Sequence, residues 1–344
     1  MRRWGVTYDT GFIHAGTTTR ERFDPRVVRR ELRIIHDDLG CDAVRVTGGD
    51  RDRLALAARL ATEAGLEVWY CPFTCDVGET ELLDFLADAA ERAEGLRGTD
   101  ADVVLVTGSE IGVFVPGFLP GDTLEERLAA LARPEVLRTS LPELRARVNA
   151  FLGRAVTIVR ERFGGPVTYA SLPFEGVDWA RFDIVSTDAA YGSPADPDRF
   201  RAGVRALSAA GKPVAVTEFG CPTYRGASGP GSRGDRIVEW ADGHALRLDG
   251  AYERAEDEQA ACLLAVLDIL DQERIDTAFV NTFARYDLPH RSLRRDDLDL
   301  ASYGIVRVFE DRLGGRYPDM PWEPKTAFQA LAGRYGRPRS ASHP

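Results

Sequence analysis

Short β-branched or apolar runs alternate with amphipathic helical patterns along the whole chain, and this alternation constrains the fold more than any other feature. The runs are Gly5–Asp9, Ala43–Thr47, Glu67–Pro72, Val103–Thr107, Val167–Ser171, Ile184–Thr187, Val214–Thr217 and Thr277–Thr282. Each is followed by a helical pattern or by a connection long enough for one. A strand, a helix and a second strand in succession call for a right-handed crossover and parallel pairing. Eight such units in 344 residues fit one closed (β/α)8 barrel, a TIM barrel. No linker divides the chain, so residues 1–335 are expected to form one barrel domain and 336–344 a disordered tail.

The helices carry start and stop signals. Asp24-Pro25 supplies an N-cap and a first-turn proline, Val28, Leu32, Ile35 and Leu39 form one stripe, and Gly40 ends it. Asp50 opens the second helix and Gly65 closes it. A capping box at Ser140-Leu-Pro-Glu143 predicts the start of a long helix with the stripe Leu144, Val148, Phe151, Ala155 and Val159. Asp196-Pro197 and Lys325–Ala332 mark two later helices.

Composition narrows the function. Apolar residues at 44% and charged residues at 28% suit a globular core with a solvated surface. A net charge of −10 argues against nucleic acid or an anionic membrane as main partner. No apolar stretch is long enough to span a bilayer. Met1-Arg2-Arg3 runs straight into a strand pattern with no secretion signal, and the cysteines (Cys41, Cys71, Cys75, Cys221, Cys262) are odd in number and scattered. The expectation is a cytoplasmic protein with free thiols. Its oligomeric state is not legible.

In a barrel of this kind the connections that leave strand C-termini line the active face. Those after strands four, seven and eight are long: Glu110 to Leu141 with a small helix at Leu124–Ala132, Glu218 to about Asp235, and Phe283–Tyr303. The glycine-rich Gly226–Gly234 lacks the Gly-Lys-Ser/Thr ending of a phosphate loop and reads as a flexible lid. The acidic run Glu253–Glu258 reads as the solvated start of a helix. Cys71, Cys75 and Cys221 could gather near the rim. Zinc would want more ligands at tighter spacing and a well-placed histidine, so buried free thiols are the simpler reading. No metal and no cofactor are implied.

Two acids sit where chemistry is expected. Glu110 ends strand four and Glu218 ends strand seven, and an acid ending a buried strand is costly unless paired or used. Opposed carboxylates at those positions suit acid/base and nucleophilic work on a glycosidic bond; ordinary rim salt bridges are the plain alternative. Arg45, in Ala-Val-Arg-Val-Thr, would keep Glu218 ionised. Asp9, His14 and Asn281 lie at or beyond the ends of strands one and eight, where they would bind sugar hydroxyls or satisfy loop backbone. Of Trp69 and Tyr70 in strand three, one is expected to face the helices.

These residues resemble clan A of the glycoside hydrolases, retaining β-glycosidases on a (β/α)8 barrel. The resemblance implies Glu110 as acid/base, Glu218 as nucleophile, Arg45 beside the nucleophile, and Tyr191, just after strand six, as its hydrogen-bonding partner. Ser109 departs from the asparagine that the clan carries before its acid/base to contact the sugar 2-hydroxyl. The implied activity is retaining hydrolysis of a small β-glycoside or oligosaccharide. A transglycosylase with the same carboxylates, or a non-catalytic barrel acting as a binding or defence module, are the alternatives.

Overall fold

The computed structural model describes residues 1–188, 196–229, 231–241 and 243–336. Its central element is one eight-stranded parallel sheet. The strands are β1 (Arg3–Asp9), β2 (Ala43–Gly48), β3 (Glu67–Pro72), β4 (Val103–Ser109), β5 (Val167–Ala170), β6 (Val185–Thr187), β7 (Val214–Phe219) and β8 (Thr277–Val280). Their neighbour order is β5-β4-β3-β2-β1-β8-β7-β6. The ring closes between β5 and β6, where regular pairing gives way to a seam. Asp183 N donates to Val167 O at 3.0 Å and Asp188 N to Ser171 O at 2.9 Å. Hydroxyls complete it: Thr168 Oγ1 donates to Ile184 O and Ser171 Oγ to Ser186 O.

Alternation along each strand sorts side chains to two cores. Ala43, Trp69, Val104, Val106, Ala170, Ile184, Ala215 and Phe279 fill the barrel interior. Trp69 meets Phe279 edge to face at 5.0 Å. Val44, Val46, Val68, Tyr70 and Leu105 face outward onto the helices. Trp69 is thus the inward and Tyr70 the outward residue of their pair.

The surrounding helices are α1 (Pro25–Asp37), α2 (Arg51–Glu63), α3 (Glu79–Arg97), α4 (Pro134–Arg160), α5 (Pro197–Ser208), α6 (Glu256–Gln272) and α7 (Thr326–Tyr335). Asp24 and Asp50 cap α1 and α2 as expected. Val28, Leu32 and Ile35 are fully buried, which stabilises the packing of α1 by about 1.5–3 kcal/mol per side chain.

Three details differ from expectation. α4 begins at Pro134, and Ser140 is not its cap; the Ser140 hydroxyl bonds back to Val136 O, and Pro142 lies inside the helix. Leu137 and Leu141 continue the apolar stripe onto the core, so packing carries the helix across the proline. Between β5 and β6 stand only two 3-10 turns, Pro173–Glu175 and Trp179–Arg181. The connection after β7 runs beyond Asp235 into a hairpin, Val238–Ala241 with His244–Leu248, and the Asp-Gly pair at 242–243 is a hairpin signal in the sequence. The hairpin reaches the β1 loop, where Thr17 Oγ1 donates to Gly243 O at 3.2 Å.

The acidic run before α6 is also more than a solvated helix start. Glu253 pairs with Arg225, and Glu258 accepts from Gly226 N and Ser228 Oγ, tying down one end of the glycine-rich segment. All five cysteines are buried and unbridged. Among the described residues no helix is long and apolar enough to cross a membrane. The tail from 337 onward lies outside the described residues.

Candidate active site

Both candidate glutamates lie at an irregularity of the sheet, Glu110 just after one and Glu218 within one. Between Val106 and Ser109, β4 spends three steps against two in β5, from Thr168 to Ala170. Between Val216 and Phe219, β7 likewise spends three steps against two in β8. An extra residue of this kind bends a strand and re-aims the side chains beyond it. In β4 the bend uses Gly108 at φ +104°, and Glu110 itself is left-handed at φ +49°. Left-handed backbone is uncommon for a residue with a Cβ and gathers at functional sites.

The strand ends meet on one guanidinium. Arg45, on β2, is fully buried. Its Nη1 donates to Glu218 Oε1 at 2.5 Å and to Thr217 O at 3.3 Å. Its Nη2 donates to Ser109 Oγ at 3.0 Å and lies 3.4 Å from Asp188 Oδ2. Ser109 Oγ donates in turn to Asp188 Oδ2. Asn281 Nδ2 reaches the other oxygen of Glu218 at 3.2 Å. β2, β4 and β7, with the residues directly after β6 and β8, therefore send polar groups into a single network. Two buried carboxylates on one arginine leave the cluster acidic, and charge-assisted hydrogen bonds from Arg45 to Glu218 and from Ser109 to Asp188 offset part of that cost.

Glu110 stands apart from that network in its partners but not in its field. Burial pushes its carboxyl well above the usual range, the charges of Asp188, Glu218 and Glu175 push it further, and Arg45 opposes them. Beneath it lies a buttress. Glu175 is fully buried and accepts from Gly112 N, Leu172 N and Tyr169 OH, each at 2.8 Å. Tyr169 OH also accepts from Ile111 N at 2.8 Å. These bonds fix the helical turn Ile111–Phe114 that begins at Glu110. Burial raises the Glu175 carboxyl to about 7 against the lowering effect of its donors.

The remaining candidates fall as follows. Ser109 is 3% exposed, with its hydroxyl engaged by both Arg45 and Asp188. Asp9 is held by its own loop, accepting from Gly11 N at 2.8 Å and from Thr19 Oγ1. Its carboxyl is pushed up, chiefly by burial. His14 lies on the β1 loop beside Cys75 and Asp76. Tyr191 lies outside the described residues. Sequence reasoning missed Asp188 and Glu175. Asp188 directly follows β6 and obeys the rule that singled out the two glutamates, an acid at the end of a buried strand. Glu175 sits in a connection with no periodic signal.

The fold and these strand ends define a class: a (β/α)8 barrel whose mouth is built from carboxylates around a buried arginine. Solved structures share that barrel along nearly the full length of this chain. A GH113 β-1,4-mannanase superposes with a TM-score of 0.61 at 15% identity, over 98% of this chain and 99% of its own. The GH113 β-mannanase of Alicyclobacillus acidocaldarius, solved in complex with ManMIm, gives 0.59 at 18% identity, over 96% of each chain. A calcium-binding mutant of Bacteroides uniformis β-glucuronidase 2 gives 0.57 at 16% identity; the match spans 97% of this chain but 34% of that one. The GH113 mannanases are clan A glycoside hydrolases, the clan that the strand-end residues resemble. At these identities the likeness is one of fold. No protein-family model matches the chain, and no curated protein does.

Proposed function

We propose that this chain is a retaining glycoside hydrolase, with Glu218 as nucleophile and Glu110 as acid/base, acting on the β-glycosidic bond of a small saccharide. The observation that carries this reading is the contrast between two carboxyls at the ends of β4 and β7, one held by Arg45 and the other pushed up by burial and by the charges of Asp188 and Glu218. Glu218 is ion-paired to Arg45 and bonded by Asn281, the setting of an anionic nucleophile. Glu110 is pushed up by burial and like charges, the setting of a proton donor at neutral pH.

Glu218 attacks the anomeric carbon while Glu110 protonates the departing oxygen, which gives a glycosyl-enzyme and a free leaving group. Glu110, now ionised, takes a proton from water as the water attacks the anomeric carbon, and Glu218 leaves. The charge on Glu110 rises and falls once per cycle, and Asp188 and Glu218 set how readily it lets the proton go. Ser109, committed to Asp188 and Arg45, positions the arginine rather than the sugar, so a sugar 2-hydroxyl would find its donor elsewhere.

β-1,4-Linked manno-oligosaccharides are the first substrates to test, because the barrel's neighbours include β-1,4-mannanases. Proton NMR of the first product should show retained anomeric configuration. Glu218→Ala should abolish turnover. Glu110→Ala should still release good leaving groups, and added azide should trap the glycosyl-enzyme. Inverted product, or full activity in Glu218→Ala, would refute the assignment.

A further inference from the structure

Three rim loops bring together side chains that the active-site network leaves unused. His14 comes from the β1 loop, Cys75 and Asp76 from the β3 loop, and Glu125 from the small helix Leu124–Leu131 in the β4 loop. One ligand atom each from His14, Cys75 and Asp76 lies within 4.8 Å of the others. His14 Nε2 stands 3.5 Å from Asp76 Oδ2 and 3.6 Å from Glu125 Oε1. A tetrahedral zinc ion, with bonds of about 2.0–2.3 Å, spaces its ligand atoms about 3.3–3.7 Å apart. We propose that His14, Cys75, Asp76 and Glu125 form a site for a divalent, borderline-soft transition-metal ion of the zinc class, which clasps the loops after β1, β3 and β4.

The surroundings fit such an ion. Arg127 is fully buried and anchored to Val113 O and Asp122 O, and it holds Asp76 by Oδ1, leaving Oδ2 toward His14. Support of this kind behind a ligand orients it for a metal. The donor set of one imidazole, one thiol and two carboxylates is that of zinc-class ions rather than calcium or magnesium. With Cys75 as thiolate, three negative ligands are balanced by the dication and Arg127. The ion displaces the Cys75 thiol proton to solvent as the sulfur–metal bond forms.

The clasp has a visible consequence. Phe12, Phe73 and Phe114 sit on the same three loops, with ring centroids 4.9–5.4 Å apart. Asp76 N also donates to Phe114 O at 2.9 Å. Fixing His14, Asp76 and Glu125 on one ion fixes this aromatic corner beside the mouth.

The test is cobalt titration of the chelator-treated full-length protein. One cobalt per chain is expected, with the visible bands of a tetrahedral site and a thiolate charge-transfer band in the near ultraviolet. Zinc should displace it, and excess zinc should raise the melting temperature. Cys75→Ser should lose the charge-transfer band, and His14→Gln, at a half-buried position, should weaken cobalt binding at least tenfold while leaving metal-free melting unchanged. Should Cys75→Ser fail to fold, His14→Gln decides alone. Absence of the bands in the parent protein, or affinity unaltered in His14→Gln, overturns the site.

Discussion

Arg45→Met removes the cation that joins the described residues of the barrel mouth network, and the structure sets the size of the effect. Arg45 and Asp188 are fully buried and Glu218 is 9% exposed. The variant leaves two carboxylates without their shared partner and Ser109 Oγ without a donor. Breaking a buried ion pair from one side costs about 3–5 kcal/mol. Unfolding entropy of about 2.1 cal/mol/K per residue over 344 residues is about 0.7 kcal/mol/K. The melting temperature should therefore fall by about 4–7 °C at pH 8. Calorimetry of parent and variant checks this. Adding Asp188→Asn and Glu218→Gln to the variant should restore most of the loss, because the harm lies in uncompensated charge rather than lost volume. A shift under 1 °C, or a deficit that the two neutralising substitutions leave in place, would refute the reasoning.

Glu110→Gln tests the raised carboxyl by stability alone. The folded chain keeps a proton on Glu110 that the unfolded chain releases above its ordinary value of 4.5, so the parent loses stability as pH rises from there through the raised value. The variant should melt above the parent at pH 8 and alongside it at pH 4, while losing activity; equal melting at pH 8 would count against the burial of Glu110. Glu175→Ala strips the acceptor from Gly112 N, Leu172 N and Tyr169 OH. It should cost about 2–4 kcal/mol in denaturant unfolding and lower kcat more than it changes KM. Gly220→Ala would set a Cβ 2.4 Å from Asn281 O and 2.8 Å from the Tyr303 ring. Overpacking of that kind costs about 1–3 kcal/mol, and the displacement of Asn281 should weaken activity; a variant that melts like the parent would show that the β7–β8 loops yield freely.

The order of strands and helices was legible because it is written locally. The β-branched runs at β2, β4 and β7 and the capped starts at Asp24 and Asp50 each depend on a few adjacent residues, and eight repeats of that pattern leave little choice of architecture. Glu110, Glu218 and Arg45 were legible for the same reason, as polar groups that would be costly inside a strand without a use. What tertiary structure decided is everything that joins distant segments. The extra residues in β4 and β7 are defined only against β5 and β8, so the turn that aims each glutamate has no signature in its own strand. Asp188 gained its place through a guanidinium that lies 143 residues away in sequence. Ser140 lost its cap because Leu137 and Leu141 found the core. His14 looked isolated in the sequence, yet it lies beside Cys75 and Asp76 because barrel closure sets the β1 and β3 loops on the same rim. Local sequence encodes elements through short-range backbone and solvation preferences, whereas a site is a set of distances across the barrel that only the closed sheet can fix.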